Sequence, residues 1–403
     1  MTDMTIAQAG ALVAELYKAA TGVAVPAPVN LSNYISVATT ALRTGTDVLY
    51  NALSQMWTRT IFAVREYTGD MFRDLEYSES AWGNATRKVS FLSRLPETND
   101  AYTYPVAHDQ QEDPPTGDGQ SVDMYTISKD KPVQTAFYGE STYAAHRTRF
   151  LQQLETALMN PEEFVAFNAA ALQSMNNERR LWRENFRRGI IINAIGALDR
   201  MNRKIHLLTE YNAINDTEYD VVDVMKPEVF TGFMRWVHGR LAELRDRFRE
   251  ANTLYTTQLQ AYPNGYGVLR HTPDDRLRIK IGSKYLHMMR SVVLSSTYNP
   301  DYLSLDGVEG VPYWQKPGSP DQISGVTVCY TANTGLETTV ANVSVSAIFG
   351  IMYDTDMMGY ARIRDTMYST PLNARGQYYN DWYSEVYKTR FDVTEKGLLL
   401  LLD

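Results

Sequence analysis

The chain has 403 residues, a mass of 45.8 kDa and a formal charge of −8. Its 44% hydrophobic and 21% charged residues exclude a chain that is disordered throughout. No apolar run approaches the roughly 18–20 residues that span a bilayer, and the lone Cys329 excludes an intramolecular disulfide framework and a multi-cysteine zinc site.

A single cysteine fits a reducing cytosol. The opening Met1-Thr2-Asp3-Met4 has no positive n-region, so a secretory signal is not expected. The acidic balance argues against nucleic-acid binding over the whole surface, while leaving room for a local basic patch. The 27 tyrosines stand against six histidines and one cysteine. Tyrosine supplies contact area with a polar tip, so this imbalance points to contact with other molecules more than to turnover.

The first 75 residues read as helical pieces, Ile6–Lys18 and Leu31–Tyr67, joined by the break Gly22-Val23-Ala24-Val25-Pro26-Ala27-Pro28. They form either an arm that packs on another subunit or along its own core, or two ordinary helices in the first layer of a domain. From Trp82 to Glu140 the pattern changes to strands at Val89–Leu92 and Met124–Ile127. Between them Asp109-Gln110-Gln111-Glu112-Asp113-Pro114-Pro115-Thr116-Gly117-Asp118-Gly119 carries four acids and no base. That composition is a loop tip. The stretch reads as a long two-stranded excursion, marginal on its own and in need of a partner surface, or as a disordered acidic loop.

Asn160 as N-cap, Pro161 at the first position and Glu163 at the third start the strongest helix. Its stripe of Phe164, Phe167, Ala171, Met175, Trp182, Phe186 and Ile190 spans about seven turns, and Gly189 and Gly196 mark an end or a bend. Arg179, Arg180, Arg183, Arg187 and Arg188 form the dense basic cluster, with Glu178 and Glu184 interleaved. It reads as a solvated face with helical ion pairs or as a dock for an acidic partner. Ile205–Leu208 is strand-like, and Pro227–Thr253 is a second amphipathic helix. Short strands follow at Leu277–Ile281, Val326–Tyr330 and Val343–Ile351, then Ser384–Val393 and a turn. Leu398–Leu402 reads as a strand buried on both faces.

The search for chemistry finds no phosphate loop, no full dinucleotide fingerprint, no His-Glu-x-x-His and no Gly-x-Ser-x-Gly. No two of His108, His146, His206, His238, His271 and His287 stand three or four residues apart, so no local metal clip is visible. Cys329 sits in an apolar strand and reads as a small hydrophobe. Asp354 and Asp356 form the best carboxylate pair and share a face if the segment is a strand. Neither catalytic nor metal-binding residues are assigned, and no cofactor is expected.

The order of helical arm, acidic-tipped hairpin, spine helix, mixed domain and buried C-terminal strand resembles the major capsid protein of tailed bacteriophages, closest to those of short-tailed phages. Local text agrees: Ile205-His206-Leu207-Leu208-Thr209-Glu210-Tyr211-Asn212, Arg270-His271-Thr272-Pro273-Asp274-Asp275, Ile348-Phe349-Gly350-Ile351-Met352-Tyr353-Asp354 and Asn373-Ala374-Arg375-Gly376-Gln377-Tyr378-Tyr379-Asn380.

The resemblance implies an α+β fold of the Hong Kong 97 phage type. Residues 1–75 would be its N-terminal arm, 76–140 its extended loop, 141–215 and 346–403 its peripheral domain with the spine helix, and 216–345 its axial domain. It implies a structural protein, not an enzyme, that assembles with itself into hexamers and pentamers of an icosahedral shell around double-stranded DNA. Its other partners would be a scaffolding protein, a portal at one vertex, packaged DNA in weak non-specific contact and a decoration protein, with no membrane. Its place would be the virion, after assembly in the host bacterial cytoplasm. At the subunit interface, Asp109, Glu112, Asp113 and Asp118 are expected to meet a neighbour's Arg180, Arg183 and Arg187. The alternatives are an encapsulin-like bacterial compartment shell, an enzyme with a non-local active site, and a nucleic-acid-binding protein using the arginine helix.

Overall fold

The computed structural model describes residues 71–77, 85–94, 125, 131–150, 161–260, 266–296 and 308–403, with isolated positions between 11 and 36. Most of the expected arm, the acidic tip at 109–119 and the Asn160 cap lie outside the described residues.

In chain order the named elements are β1 (Ala85–Phe91), β2 (Ser93–Arg94), β3 (Pro132–Tyr138), β4 (Ser141–Phe150), α1 (Pro161–Arg200), β5 (Lys204–His206) and α2 (Leu207–Asn215). They continue with α3 (Pro227–Arg249), β6 (Tyr266–Gly267), β7 (Leu277–Gly282), α4 (Ser283–Ser296), β8 (Val308–Val311) and β9 (Ile323–Thr331). The last are β10 (Glu337–Val345), β11 (Ile348–Asp354), β12 (Met358–Ser369), β13 (Tyr378–Phe391) and β14 (Gly397–Leu401).

The chain divides into two compact units. One comprises residues 1–83, 139–189 and 360–389; the other comprises 84–138, 190–359 and 390–403.

In the first unit three strands form a sheet in the order β12-β13-β4, with β13 antiparallel to β4 from Tyr378 opposite Phe150 to Tyr387 opposite Ser141. The first part of α1 packs on one face of it. Trp182 stacks on Tyr143 at 4.0 Å and on Phe186 at 5.2 Å, and Phe186 meets Tyr360 edge-on at 5.5 Å. Offset and edge-on rings at these separations add to the gain from burial. The helical period of Met175, Trp182 and Phe186 thus reads through to contact. The spine helix itself is longer than its sequence pattern suggests, with 40 residues or about eleven turns.

Neither Gly189 nor Gly196 ends the helix. In the second unit Gly196 serves close approach: a Cβ there would collide with Cγ2 of Val328 on β9.

The second unit is built on a mixed five-stranded sheet in the order β5-β14-β11-β7-β8. The C-terminal strand β14 lies between β11 (antiparallel) and β5 (parallel), and all five of its residues are buried. A continuous leucine run suits such a two-sided position. Phe233, Val237, Leu241, Leu244 and Phe248 of α3 join Tyr285 and Leu286 of α4, Ile279 and Ile281 of β7, and Leu398, Leu400 and Leu402 in one buried cluster. Helix α3 ends where Lys396 meets it. The buried Lys396 ammonium donates to the carbonyls of Arg247 (3.0 Å), Phe248 (3.0 Å) and Glu250 (2.7 Å). These are the acceptors a helix end leaves open. Burial lowers the pKa of Lys396 to about 8.

Three expectations on secondary structure change. The return strand of the hairpin is β3, beginning at Pro132; Tyr125 lies in a turn, and the rest of Met124–Ile127 is outside the described residues. Ile205–Leu208 is strand only to His206, after which α2 begins. The span Val343–Ile351 is two strands, broken at Ala347, whose φ of 53° turns the backbone.

Candidate assembly surface

The ribbon of β1 and β3 runs in register from Ala85 opposite Tyr138 to Phe91 opposite Pro132. Side chains alternate between its two faces, and the faces differ in kind. On one lie Thr86, Lys88 and Ser90 opposite Phe137, Thr135 and Val133. Lys88 Nζ is 2.5 Å from Asp392 and also bonds Glu395. Ser90 Oγ accepts from Arg270 at 2.8 Å, and Arg270 Nε is 3.2 Å from Glu395. Both carboxylates are buried, and Arg203 braces their turn by donating to the carbonyls of Val393 and Glu395. Desolvation of Arg203 lowers its pKa to about 10. The face of the ribbon that carries Lys88 is therefore the bound one, with Val133 and Phe137 half-buried on it.

The other face carries Ala85, Arg87, Val89 and Phe91 opposite Tyr138, Ala136, Gln134 and Pro132. Val89 is 56% exposed, Phe91 62% and Tyr138 75%. This outer face mixes the exposed Val89, Phe91 and Tyr138 with Arg87 and Gln134. Full burial of a side chain such as Phe or Val stabilises by about 1.5–3 kcal/mol. Three large apolar side chains left in water on one ribbon face make it a candidate interaction surface.

The arginine cluster on α1 has a different disposition from the solvated face its spacing suggests. Arg179 lies 2.8 Å from Glu385 and 2.8 Å from Asp365, with its guanidinium 3.8 Å from the Tyr383 ring centre. Arg183 Nε donates to Glu385 at 3.1 Å, and its Nη2 pairs with the same carboxylate. Glu385 is fully buried. Burial alone would weaken the proton's hold on Arg183, but Glu385 outweighs it and the pKa rises. Arg187 is buried, donating to the Tyr360 hydroxyl at 2.6 Å and pairing with Glu76 at 3.3 Å. Burial pushes the Tyr360 hydroxyl's pKa upward. Arg188 is buried too and pairs with Glu184 at 2.9 Å. The physical reason is strand β13, which presents a buried acid to the helix face.

Of the interface residues expected from the sequence, Arg183 and Arg187 thus make their strong bonds within their own unit, and Arg180 is half-buried. Asp109, Glu112, Asp113 and Asp118 lie outside the described residues. The pair Asp354 and Asp356 is a turn device. Asp354 accepts from Thr272 at 2.8 Å and from the Asp356 amide at 2.8 Å, while Asp356 pairs with Arg276 and Arg390. Cys329 donates to Glu337 at 2.7 Å, and burial raises its pKa, which disfavours the thiolate a nucleophile needs. Among the described residues no group of three or more His, Cys, Asp or Glu could hold a metal ion, and no helix is long and apolar enough to cross a membrane.

The residues of the ribbon's bound face, Lys88, Arg270, Asp392 and Glu395, escaped the sequence reading. The signal available was the alternation Ala85, Arg87, Val89, Phe91, legible only once β3 is placed correctly.

No protein-family model matches the chain, and no curated protein matches it. Solved structures do. The capsid structure of Staphylococcus phage Andhra matches with a TM-score of 0.58 at 7% identity, covering 84% of this chain and 86% of that one. The structure of head fiber and inner core protein gp22 of native bacteriophage P68 matches with a TM-score of 0.53 at 8% identity, again over 84% and 86%. The chain therefore has an α+β fold found in phage capsids.

Proposed function

We propose that this chain is a major capsid subunit of a tailed bacteriophage, assembling with itself into hexamers and pentamers of an icosahedral shell around double-stranded DNA. The observation that carries the reading is the ribbon of β1 and β3, held through Lys88 and offering Val89, Phe91 and Tyr138 outward. A shell repeats one heterologous contact many times, so a modest apolar contact per subunit gains from multivalency. Residues 141–215 and 346–403 would be its peripheral domain, 216–345 its axial domain and 76–140 its extended loop. The role is structural, not enzymatic. A scaffolding protein, a portal and a decoration protein are the expected partners, with assembly in the host bacterial cytoplasm and a final place in the virion.

Negative-stain electron microscopy of the chain, expressed with and without its neighbouring genes, tests this. Uniform closed shells containing nucleic acid are expected. Shells filled with protein cargo would point to a compartment instead, and a stable monomer in both preparations would refute the subunit role.

A further inference from the structure

Helices α2 and α3 of the second unit leave an open groove between them. α2 lines it with Glu210, Ala213 and Ile214, and α3 with Trp236, Gly239, Arg240 and Glu243. Both sets follow the helical spacing of three and four residues, so each is one continuous stripe. The groove encloses about 520 Å³, room enough for bulky apolar groups. Ile214 is 68% exposed, and Ala213 and Gly239 are exposed as well. Trp236 is half-buried and held edge-on against Tyr211 at 5.5 Å.

Gly239 is the informative residue. Glycine is among the poorest helix formers, yet it stands near the middle of the 23-residue α3. A Cβ added there would meet no atom within 4 Å. Packing inside its own unit therefore does not require glycine, in contrast to Gly196. A second backbone lying close against α3 would require it. Ala213 on the facing stripe is small as well, so a further helix could settle between the two.

Charge selects the occupant. Arg240 gives Nε and Nη2 to Glu210 and Nη1 to Glu243, so the arginine of the groove is not available to an acidic partner. Past Ile214 the balance turns negative. Residues 207–226 hold five carboxylates and one cation, Lys226, which pairs with Asp223 at 2.6 Å. α2 has no basic residue in its last turn and runs out into the exposed Asp216 and Glu218. The negative end of its dipole is left without a cation.

We propose that the groove between α2 and α3 receives an amphipathic helix of a different protein. Its apolar side chains would lie on Ile214, Trp236 and the bare backbone at Gly239, and its lysines or arginines would meet Asp216 and Glu218. The inference goes beyond the shell reading and does not depend on it.

The test uses the full chain and two synthetic, capped, fluorescent helices of four turns. Both carry leucine at the i, i+3, i+4, i+7 spacing; one has lysine at the flanking positions and the other glutamate. Fluorescence anisotropy at low salt should show the lysine helix binding at least tenfold more tightly than the glutamate helix. Gly239→Leu, which fills the groove, should weaken the lysine helix at least tenfold. It should leave the unfolding midpoint unchanged or raised, because leucine is the better helix former. Asp216→Asn with Glu218→Lys should also weaken it at least tenfold and narrow the preference between the two helices. No binding of the lysine helix at millimolar concentration, or equal binding by the wild type and Gly239→Leu, would overturn the proposal. Loss in the charge variant alone would overturn it as adsorption to an acidic surface. Self-association of the wild type without peptide, abolished by Gly239→Leu, would overturn it in favour of a contact between copies of this chain.

Discussion

Two helices in this protein carry arginine at similar density, and they use it in opposite ways. On α3, Arg247 and Arg240 pair with Glu243 of the same helix, and Arg249 reaches Asp246 and Asp274. Asp274 is held below the usual carboxylate range by Arg245 and Arg249. These are surface pairs among neighbours three or four residues apart, or on the next segment. On α1, Arg179 and Arg183 converge on Glu385, more than 200 positions away in the chain and fully buried. The sequence text is alike; what differs is where the acid comes from. On α3 the local acids leave Arg247 and Arg249 at the surface. On α1 the acid delivered by a distant strand draws Arg179 into the interior.

That contrast sets an order of expected effects. The largest belongs to Glu385→Ala. Removing the shared acid leaves Arg183 without its closest carboxylate and Arg179 with Asp365 alone, and breaking a buried pair costs about 3–5 kcal/mol. Urea unfolding of the full chain should show it as a large drop in midpoint; a change below about 1 kcal/mol would mean that water reaches the cluster and the contrast with α3 fails. The smallest belongs to Arg247→Ala, which removes an exposed helical pair and should shift stability by no more than about 0.5 kcal/mol. A loss as large as that of Glu385→Ala would show the α3 pairs to be as structural as those of α1.

The same distinction explains what the sequence revealed and what it hid. Periodic, local features were legible. The α3 stripe from Phe233 to Phe248, the strand at Leu277–Ile281 and the two-sided burial of the closing leucines all follow from spacing alone. Pro161 marked the start of α1. Features that depend on pairing partners were not legible. Strand β3 opens on Pro132, a residue that lowers any strand expectation, so the hairpin's return was placed too early and its two faces could not be compared. The arginines of α1 looked solvated because nothing in their own helix announces Glu385.

The outward face of the β1–β3 ribbon is where the account is most exposed. The measurement that tests it most directly is sedimentation velocity on the full chain carrying Val89→Lys with Phe91→Lys, beside the wild type under shell-forming conditions. Both side chains already face water, so the substitutions should leave the circular dichroism and the unfolding midpoint of the subunit nearly unchanged. The account predicts that the wild type sediments as shells and the variant remains as free subunits. Shells from the variant at wild-type yield would contradict it, and the outward apolar face would then have no part in assembly.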